Sequence, residues 1–260
     1  MNGQHVVVTG AAGAIGLAIA RLFLTQGANV SLHYYHNVET LRSLLNEYSD
    51  QCQAFSVNAT DEQAVKKGFA DSCNHFGLIN VCIVNHDVFK EDDIPIWAMS
   101  LDQWQNTINV DLTSYFLYAR EWCRQLKHFK PANDDNINAS LIVLGSVAGN
   151  FGRVNHIDYA TAKGALQSSF IKSLKNEIVH IIPQARCNVV TPSWIQTAMT
   201  EGLIQQGKHI QTLRTTSLRK LGSADDIAQA CLFLASNRTA RHITEEVMMI
   251  HGGMEGHALW

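Results

Sequence analysis

No stretch of about 18 consecutive apolar residues occurs in this 260-residue chain, so no membrane-spanning helix is expected. Charge is sparse as well. Asp, Glu, Lys and Arg make up 17% of the residues and the formal net charge is -3. That leaves no basic footprint for a nucleic-acid partner. The opening MNGQHVVVTG lacks a basic flank, a long apolar core and a cleavage site. It reads as an early strand, not a secretory signal, and the chain is expected in the cytoplasm. Disulfide spacing is missing too. None of Cys52, Cys73, Cys82, Cys123, Cys187 and Cys231 forms a Cys-x-x-Cys pair, and most sit in apolar runs. Free buried thiols in a reducing compartment are expected. The 12 His include no His-x-x-x-His pair and no Cys/His cluster at ligand spacing, so no metal is expected.

What is present is alternation. Short, continuously apolar runs at 5–9, 29–34, 52–57, 80–84, 140–145, 186–190 and 246–250 read as strands. Between them, helical periodicity covers 15–26, 39–48, 62–75 (opened by the cap candidate Asp61), 101–128, a segment from about 158 to 181, and 224–235. In the 101–128 helix, Trp104, Ile108, Leu112, Tyr115, Ala119 and Trp122 recur at helical spacing. Strands that are apolar throughout must be covered on both faces, which predicts a parallel sheet between two helical layers. No repeat or linker interrupts the pattern, and the polar KPANDDNINA (130–139) reads as a surface loop. The expected fold class is α/β: one doubly wound domain over 1–260, with a mostly parallel sheet of about seven strands.

Two local patterns carry chemistry. After the first strand, TGAAGAIG (Thr9 to Gly16) places glycines at a strand-to-helix turn, where backbone can approach a pyrophosphate and the helix offers its N-terminal amides. In HIDYATAKGAL (His156 to Leu166), Tyr159 and Lys163 are four residues apart and share one helical face. A Tyr hydroxyl, with a pKa of about 10, is a poor base at neutral pH, and a cation one helical turn away favours the phenolate. Ser146, thirteen residues before Tyr159, can hold a substrate oxygen and stabilise developing charge.

These patterns resemble the short-chain dehydrogenase/reductase family across essentially the whole chain. The turn is similar to that family's Thr-Gly-x-x-x-Gly-x-Gly, with Ala14 at the middle glycine and Gly13 one place earlier. The glycines also read as Gly-x-x-Gly-x-x-Gly, the spacing of the longer epimerase-like branch. The resemblance implies a Rossmann-type fold and a catalytic set of Asn109, Ser146, Tyr159 and Lys163. In that set Lys163 also bonds the nicotinamide ribose, and Asn109 holds a water that passes protons to it. It implies dinucleotide contacts from Gly10, Ala14, Ile15 and Gly16, from Tyr35 and His36 at the end of the second strand, and from Asn58 and Ala59. Asn85, Tyr159, Lys163, Pro192, Ile195 and Thr197 complete that set. Residues 33–38 contain no carboxylate to bond a ribose 2′-hydroxyl and repel a 2′-phosphate, so NADP(H) is favoured and NAD(H) remains open. The substrate would be a small carbonyl compound or alcohol. Its pocket wall is expected along about 147–158 and 193–207, a stretch that includes Arg153, with His86, Phe151, His156 and Trp194 as candidate contacts.

The family usually carries Asn-Asn-Ala-Gly after the fourth strand, where this chain has VNHD (84–87). Three readings are open: a tolerated variation, a pocket reshaped by His86 or Asp87, or a dinucleotide-binding sensor or scaffold without turnover. A nucleotide-sugar-type epimerase or dehydratase is the alternative enzyme. Apolar residues beyond the needs of one sheet face, including Phe116, Trp122, Phe170 and Ile171, together with the family's habit of pairing these helices, predict a homodimer or homotetramer.

Overall fold

The protein is described from a computed structural model covering residues 1–90, 92–129, 137–207 and 209–256. Its seven strands are β1 (His5–Thr9), β2 (Asn29–Tyr34), β3 (Cys52–Ser56), β4 (Ile79–Val84), β5 (Ser140–Leu144), β6 (Arg186–Pro192) and β7 (Val247–Ile250). They form one all-parallel sheet in the order β3-β2-β1-β4-β5-β6-β7. Along β1, Val6 and Val8 enter one core while Val7 enters the other, so alternate residues serve opposite faces and both are apolar.

On the first face lie α1 (Ala14–Thr25), α2 (Arg42–Glu47, after a 3-10 turn at Glu39–Leu41) and, later in the chain, the helix Ala224–Ala235. Ile19, Phe23, Ile227 and Leu234 pack there. On the second lie α3 (Glu62–Phe76), α4 (Leu101–Ile108), α5 (Ser114–Phe129), α6 (Val147–Phe151), α7 (Ile157–Ala165) and α8 (Ile171–Ile178). Phe69, Trp122 and Ile178 anchor that core. The first two helices after β6 have no counterpart in the sequence pattern: α9 (Ala198–Gln205) and α10 (His209–Thr215). The Ala224–Ala235 helix is α11, and the short α12 (Asn237–Ala240) precedes β7. Asp61 caps α3 as expected, accepting from the amides of Gln63 (2.8 Å) and Ala64 (3.2 Å).

The expected 101–128 and 158–181 helices are each broken by one π turn, Asn109–Thr113 and Leu166–Phe170. A π turn adds a residue to the helical cycle and rotates the turns before it relative to the turns after it. Up to and within the first break, the buried residues are therefore Thr107 and Asp111, while the predicted Ile108 and Leu112 are half-buried. Downstream, Tyr115 and Trp122 keep their predicted places. Trp122 and Ile171 are fully buried in the core, so they are not surplus apolar surface, whereas Phe116 is 46% exposed. The polar 130–139 loop lies largely outside the described residues, which resume at Ile137. All six cysteines are free, and burial pushes thiols such as Cys52 and Cys187 up to about 12. Among the described residues no helix is long and apolar enough to cross a membrane, and no group of three His, Cys, Asp or Glu could hold a metal.

Candidate active site

In a doubly wound sheet the chain leaves β1 and β4 in opposite lateral directions, and a crevice opens at their carboxyl ends. A cavity of about 600 Å³ lies there, walled at one end by the glycine turn. Gly10 takes a φ of +59°, which L side chains rarely adopt, and its carbonyl oxygen accepts from the amide of Gly13 at 3.0 Å. A Cβ on Gly16 would stand 2.3 Å from the Gly10 carbonyl oxygen, so only glycine lets α1 approach β1 this closely. Gly13 caps α1 without a side chain, leaving its first-turn amides free of a capping group where they border the cavity.

Most of the expected dinucleotide contacts line this cavity: Gly10, Ala14, Ile15, Gly16, Tyr35, His36, Asn85, Tyr159, Pro192, Ile195 and Thr197. Asn85 also ties the turn to β4, donating through Nδ2 to the carbonyls of Thr9 (3.0 Å) and Gly10 (3.3 Å). Three do not reach the lining: Asn58, Ala59 and, buried behind Tyr159, Lys163. Asn58 turns its Oδ1 back onto the amide and hydroxyl of Thr60, at 3.2 and 2.9 Å, and Ala59 packs against the core.

Ser146, Tyr159 and Lys163 converge where β5 ends. Ser146 and Tyr159 border the cavity, with the Ser146 hydroxyl close enough to lower the Tyr159 pKa. Lys163 lies behind them, fully buried, and donates to Tyr115 Oη and to the Leu144 carbonyl, both at 3.1 Å. Its Nζ is 5.5 Å from the Tyr159 ring centroid. The fourth expected member is absent from this cluster. Asn109 is exposed, because the π turn swings it outward and brings Asp111 inward in its stead. Asp111 is fully buried. Its Oδ1 accepts from the Val88 amide at 2.9 Å, and its Oδ2 has no hydrogen-bond partner.

A second carboxylate completes the cluster. Asp87 Oδ2 accepts from the Tyr159 hydroxyl at 3.3 Å and lies 3.8 Å from Lys163 Nζ. The sequence offers Asp87 only as a departure from Asn-Asn-Ala-Gly, and nothing in it marks Asp111. This packing sets the electrostatics. Burial, then Asp87, push the Tyr159 hydroxyl well above its ordinary range; Lys163 pulls it down, Asp111 pushes it up again, and Ser146 lowers it slightly. The expected Lys-driven lowering is therefore outweighed, and Tyr159 rests as a phenol. Lys163 is held charged: burial opposes its charge, but Tyr159, Asp87 and Asp111 together raise its pKa. Burial raises Asp111 to about 7, against the pull of Lys163.

Three expected substrate contacts turn elsewhere. His86 borders the cavity with its backbone, but its ring is spent inside: Nδ1 pairs with the Thr9 hydroxyl at 2.7 Å and Nε2 with that of Ser114 at 2.6 Å. Burial, reinforced by Lys163 and His33, lowers it to about 3, so it stays neutral. His156 is buried against Phe89, with Nε2 on Asp93 at 3.2 Å, and is not part of the cavity wall. Phe151 is 40% exposed and also lies off the wall. Only Trp194 faces the cavity, joined there by Phe89 and Arg153.

Asp111 gives one testable consequence. Its native pKa lies above the ordinary 3.8, so between pH ~4 and ~7 the folded state holds a proton that the unfolded chain releases. Its contribution to stability therefore falls as pH rises through that window. Asp111→Asn, which carries no charge to bury, is expected to raise the melting temperature by several degrees at pH 8 and by much less at pH 5, as read by calorimetry. An equal shift at both values would contradict a buried, proton-holding Asp111.

Known proteins share this architecture. The family model described as Enoyl-(Acyl carrier protein) reductase matches residues 10–255. Nodulation protein G of Rhizobium meliloti is 30% identical over 98% of this chain and 98% of its own length. The 3-oxoacyl-[acyl-carrier-protein] reductase FabG of Chlamydia pneumoniae is 29% identical over 97% of each chain. A crystal structure from Brucella melitensis, described as a short-chain dehydrogenase/reductase of glucose/ribitol dehydrogenase type, superposes with a TM-score of 0.85 at 27% identity. It covers 98% of this chain and 97% of that one.

Proposed function

This chain belongs to the short-chain dehydrogenase/reductase family and is one of its oxidoreductases, and from that premise we propose that it reduces the carbonyl group of a small molecule with NADPH. The observation that carries the proposal is Tyr159, beside Ser146 and backed by Lys163, on the wall of a cavity that also includes the glycine turn. The residues present fit a dinucleotide. The uncapped first-turn amides of α1 suit its pyrophosphate, and Lys163, behind Tyr159, suits the nicotinamide ribose.

When bound, the reduced nicotinamide supplies a hydride to the carbonyl carbon. The chain's own residues do the rest. Ser146 donates a hydrogen bond to the carbonyl oxygen and stabilises the charge that develops there. Tyr159 gives that oxygen its proton, and burial, which keeps Tyr159 a phenol, suits it as an acid. Lys163 holds a positive charge behind the tyrosine that eases departure of this proton. Asp87 and Asp111, both coupled to Lys163, stand where protons can return to the site, in place of the water expected on Asn109.

Preference for NADPH rests on the end of β2. Tyr35, packed against His36 with ring centroids 3.5 Å apart, and Asn37 border the cavity and bring no carboxylate. The next acid along the chain, Glu39, is exposed and paired to Arg42 at 2.7 Å. NADPH is expected to bind at least about tenfold more tightly than NADH, the worth of one charge-assisted hydrogen bond. Tyr35→Asp should erase or reverse that preference. Calorimetric titration of both cofactors tests this, and tighter NADH binding by the parent protein would refute it.

Assembly into a homodimer or homotetramer, at work in the cytoplasm, belongs to the same proposal; Phe116 on α5 is one of the apolar residues left exposed. The activity named for the FabG relative adds acyl-chain carbonyls to the substrate classes to try. One observation favours a second reading. Asp87 takes the hydrogen bond that Tyr159 would give a substrate, as it would in a dinucleotide-binding sensor without turnover. Carbonyl turnover decides between them. The epimerase alternative has no such support, because this chain matches reductases over nearly their full length.

A further inference from the structure

One charged side chain on the cavity wall has a buried polar atom left over. Arg153, in the turn between α6 and α7, is half-buried, and its Nε is wholly buried without a hydrogen-bond partner. Its guanidinium carbon lies 5.6 Å from the Phe89 ring centroid and 5.3 Å from that of Trp194. Both rings border the cavity, and Phe89 packs edge-on against Tyr159 at 5.2 Å. The cation is thus clamped between two aromatic faces, one ring away from the reacting hydroxyl.

This placement is costly unless something answers it. Burial lowers the Arg153 pKa, and the carboxylate that offsets the loss is Asp93, which is 52% exposed and already engaged by His156. A guanidinium flanked by aromatic rings keeps its planar fork for a two-oxygen partner, and weakly screened surroundings strengthen the pairing. Asp87 supplies the complement. A negative group cannot rest beside the Asp87 carboxylate at the Tyr159–Lys163 end, so an anionic substrate is driven to lie one way round: carbonyl at Tyr159, anion at Arg153.

We propose that Arg153 receives a carboxylate of the substrate, so that the enzyme's substrates are oxo acids with a free carboxylate a few bonds from the reacting carbonyl. The proposal rests on the reductase function above and narrows it. It sets the chain apart from reductases of thioesters, which carry no charge at that point.

The test is NADPH-dependent reduction of acetoacetate and levulinate, each beside its methyl ester, by the parent protein, Arg153→Met and Arg153→Lys. Met keeps most of the stem between the two rings, and Lys keeps the charge. At least one acid should exceed its ester tenfold or more in kcat/KM, chiefly through KM. Arg153→Met should cut that advantage about ten- to a hundredfold, leave the ester within about threefold and leave NADPH affinity unchanged, with Arg153→Lys in between. The proposal is overturned if no acid outperforms its ester, if Arg153→Met slows acid and ester alike, or if it weakens NADPH binding. Should no carbonyl compound turn over, the reductase function fails while the anion site is still read by calorimetry on the NADPH-loaded protein. Levulinate binding that Arg153→Met abolishes supports the site, and no binding by the parent overturns it.

Discussion

Tyr159→Phe is expected to lower carbonyl reduction by ~10²–10⁴-fold or more while folding and NADPH affinity stay near those of the parent. The ring keeps its edge contact with Phe89 and its place 5.5 Å from Lys163 Nζ, so the packing survives. What disappears is the hydroxyl on the wall that stands beside Ser146 and in front of the Lys163 charge. The Asp87 carboxylate loses a donor, but it is partly exposed and retains Lys163 at 3.8 Å. Steady-state rates on the best carbonyl substrate, with cofactor affinity measured alongside, read the effect. A Phe variant that works at the parent rate would mean that Tyr159 and Lys163 merely share a helix face.

Lys163→Met is expected to damage more than one property. It removes the charge behind Tyr159, so turnover should fall by at least ~10²-fold. It also removes the ammonium proposed to hold the nicotinamide ribose, so NADPH affinity should fall with it. Stability should suffer as well. Lys163 is fully buried, donates to Tyr115 and Leu144, and balances Asp87 and Asp111. Deleting one side of a buried charge cluster costs about 3–5 kcal/mol, a fall of at least ~6 °C in melting temperature for a chain of this size. That fall should be smaller at pH 5 than at pH 8, because Asp111, raised to about 7, can shed its unmatched charge by taking a proton. Loss of turnover with normal cofactor affinity and unchanged melting would contradict the placement of Lys163 at the centre of this cluster.

Much of this was legible in the residues. Strands buried on both faces must be apolar throughout, and all seven occur within two residues of where that criterion puts them. The glycine turn is equally readable, since the steric demand at Gly16 admits no side chain. Ser146, Tyr159 and Lys163 announce themselves by spacing because one strand end and one helix fix their geometry. The illegible parts depend on contacts between distant segments. No Pro or Gly marks the π turn at Asn109–Thr113, yet its extra residue exchanges Asn109 for Asp111 at the site. His86 looks like a ligand contact until Thr9 and Ser114, from β1 and the start of α5, are seen to claim both ring nitrogens. The same two hydroxyls explain how a bulky His is housed where the family keeps a small residue. Phe151 and His156 fall in the right stretch but off the cavity wall, while Arg153 between them faces the cavity.

The most direct measurement uses NADPH carrying deuterium at its transferable position, incubated with the parent protein and its best carbonyl substrate, with the product analysed by mass spectrometry and NMR. The expected result is one deuterium on the new carbinol carbon for each cofactor oxidised, with Tyr159→Phe forming almost none of that product. If NADPH binds but no labelled alcohol forms from any carbonyl compound, or if the alcohol forms without the label, direct reduction at Tyr159 is contradicted, and in the first case the protein is a dinucleotide-binding sensor.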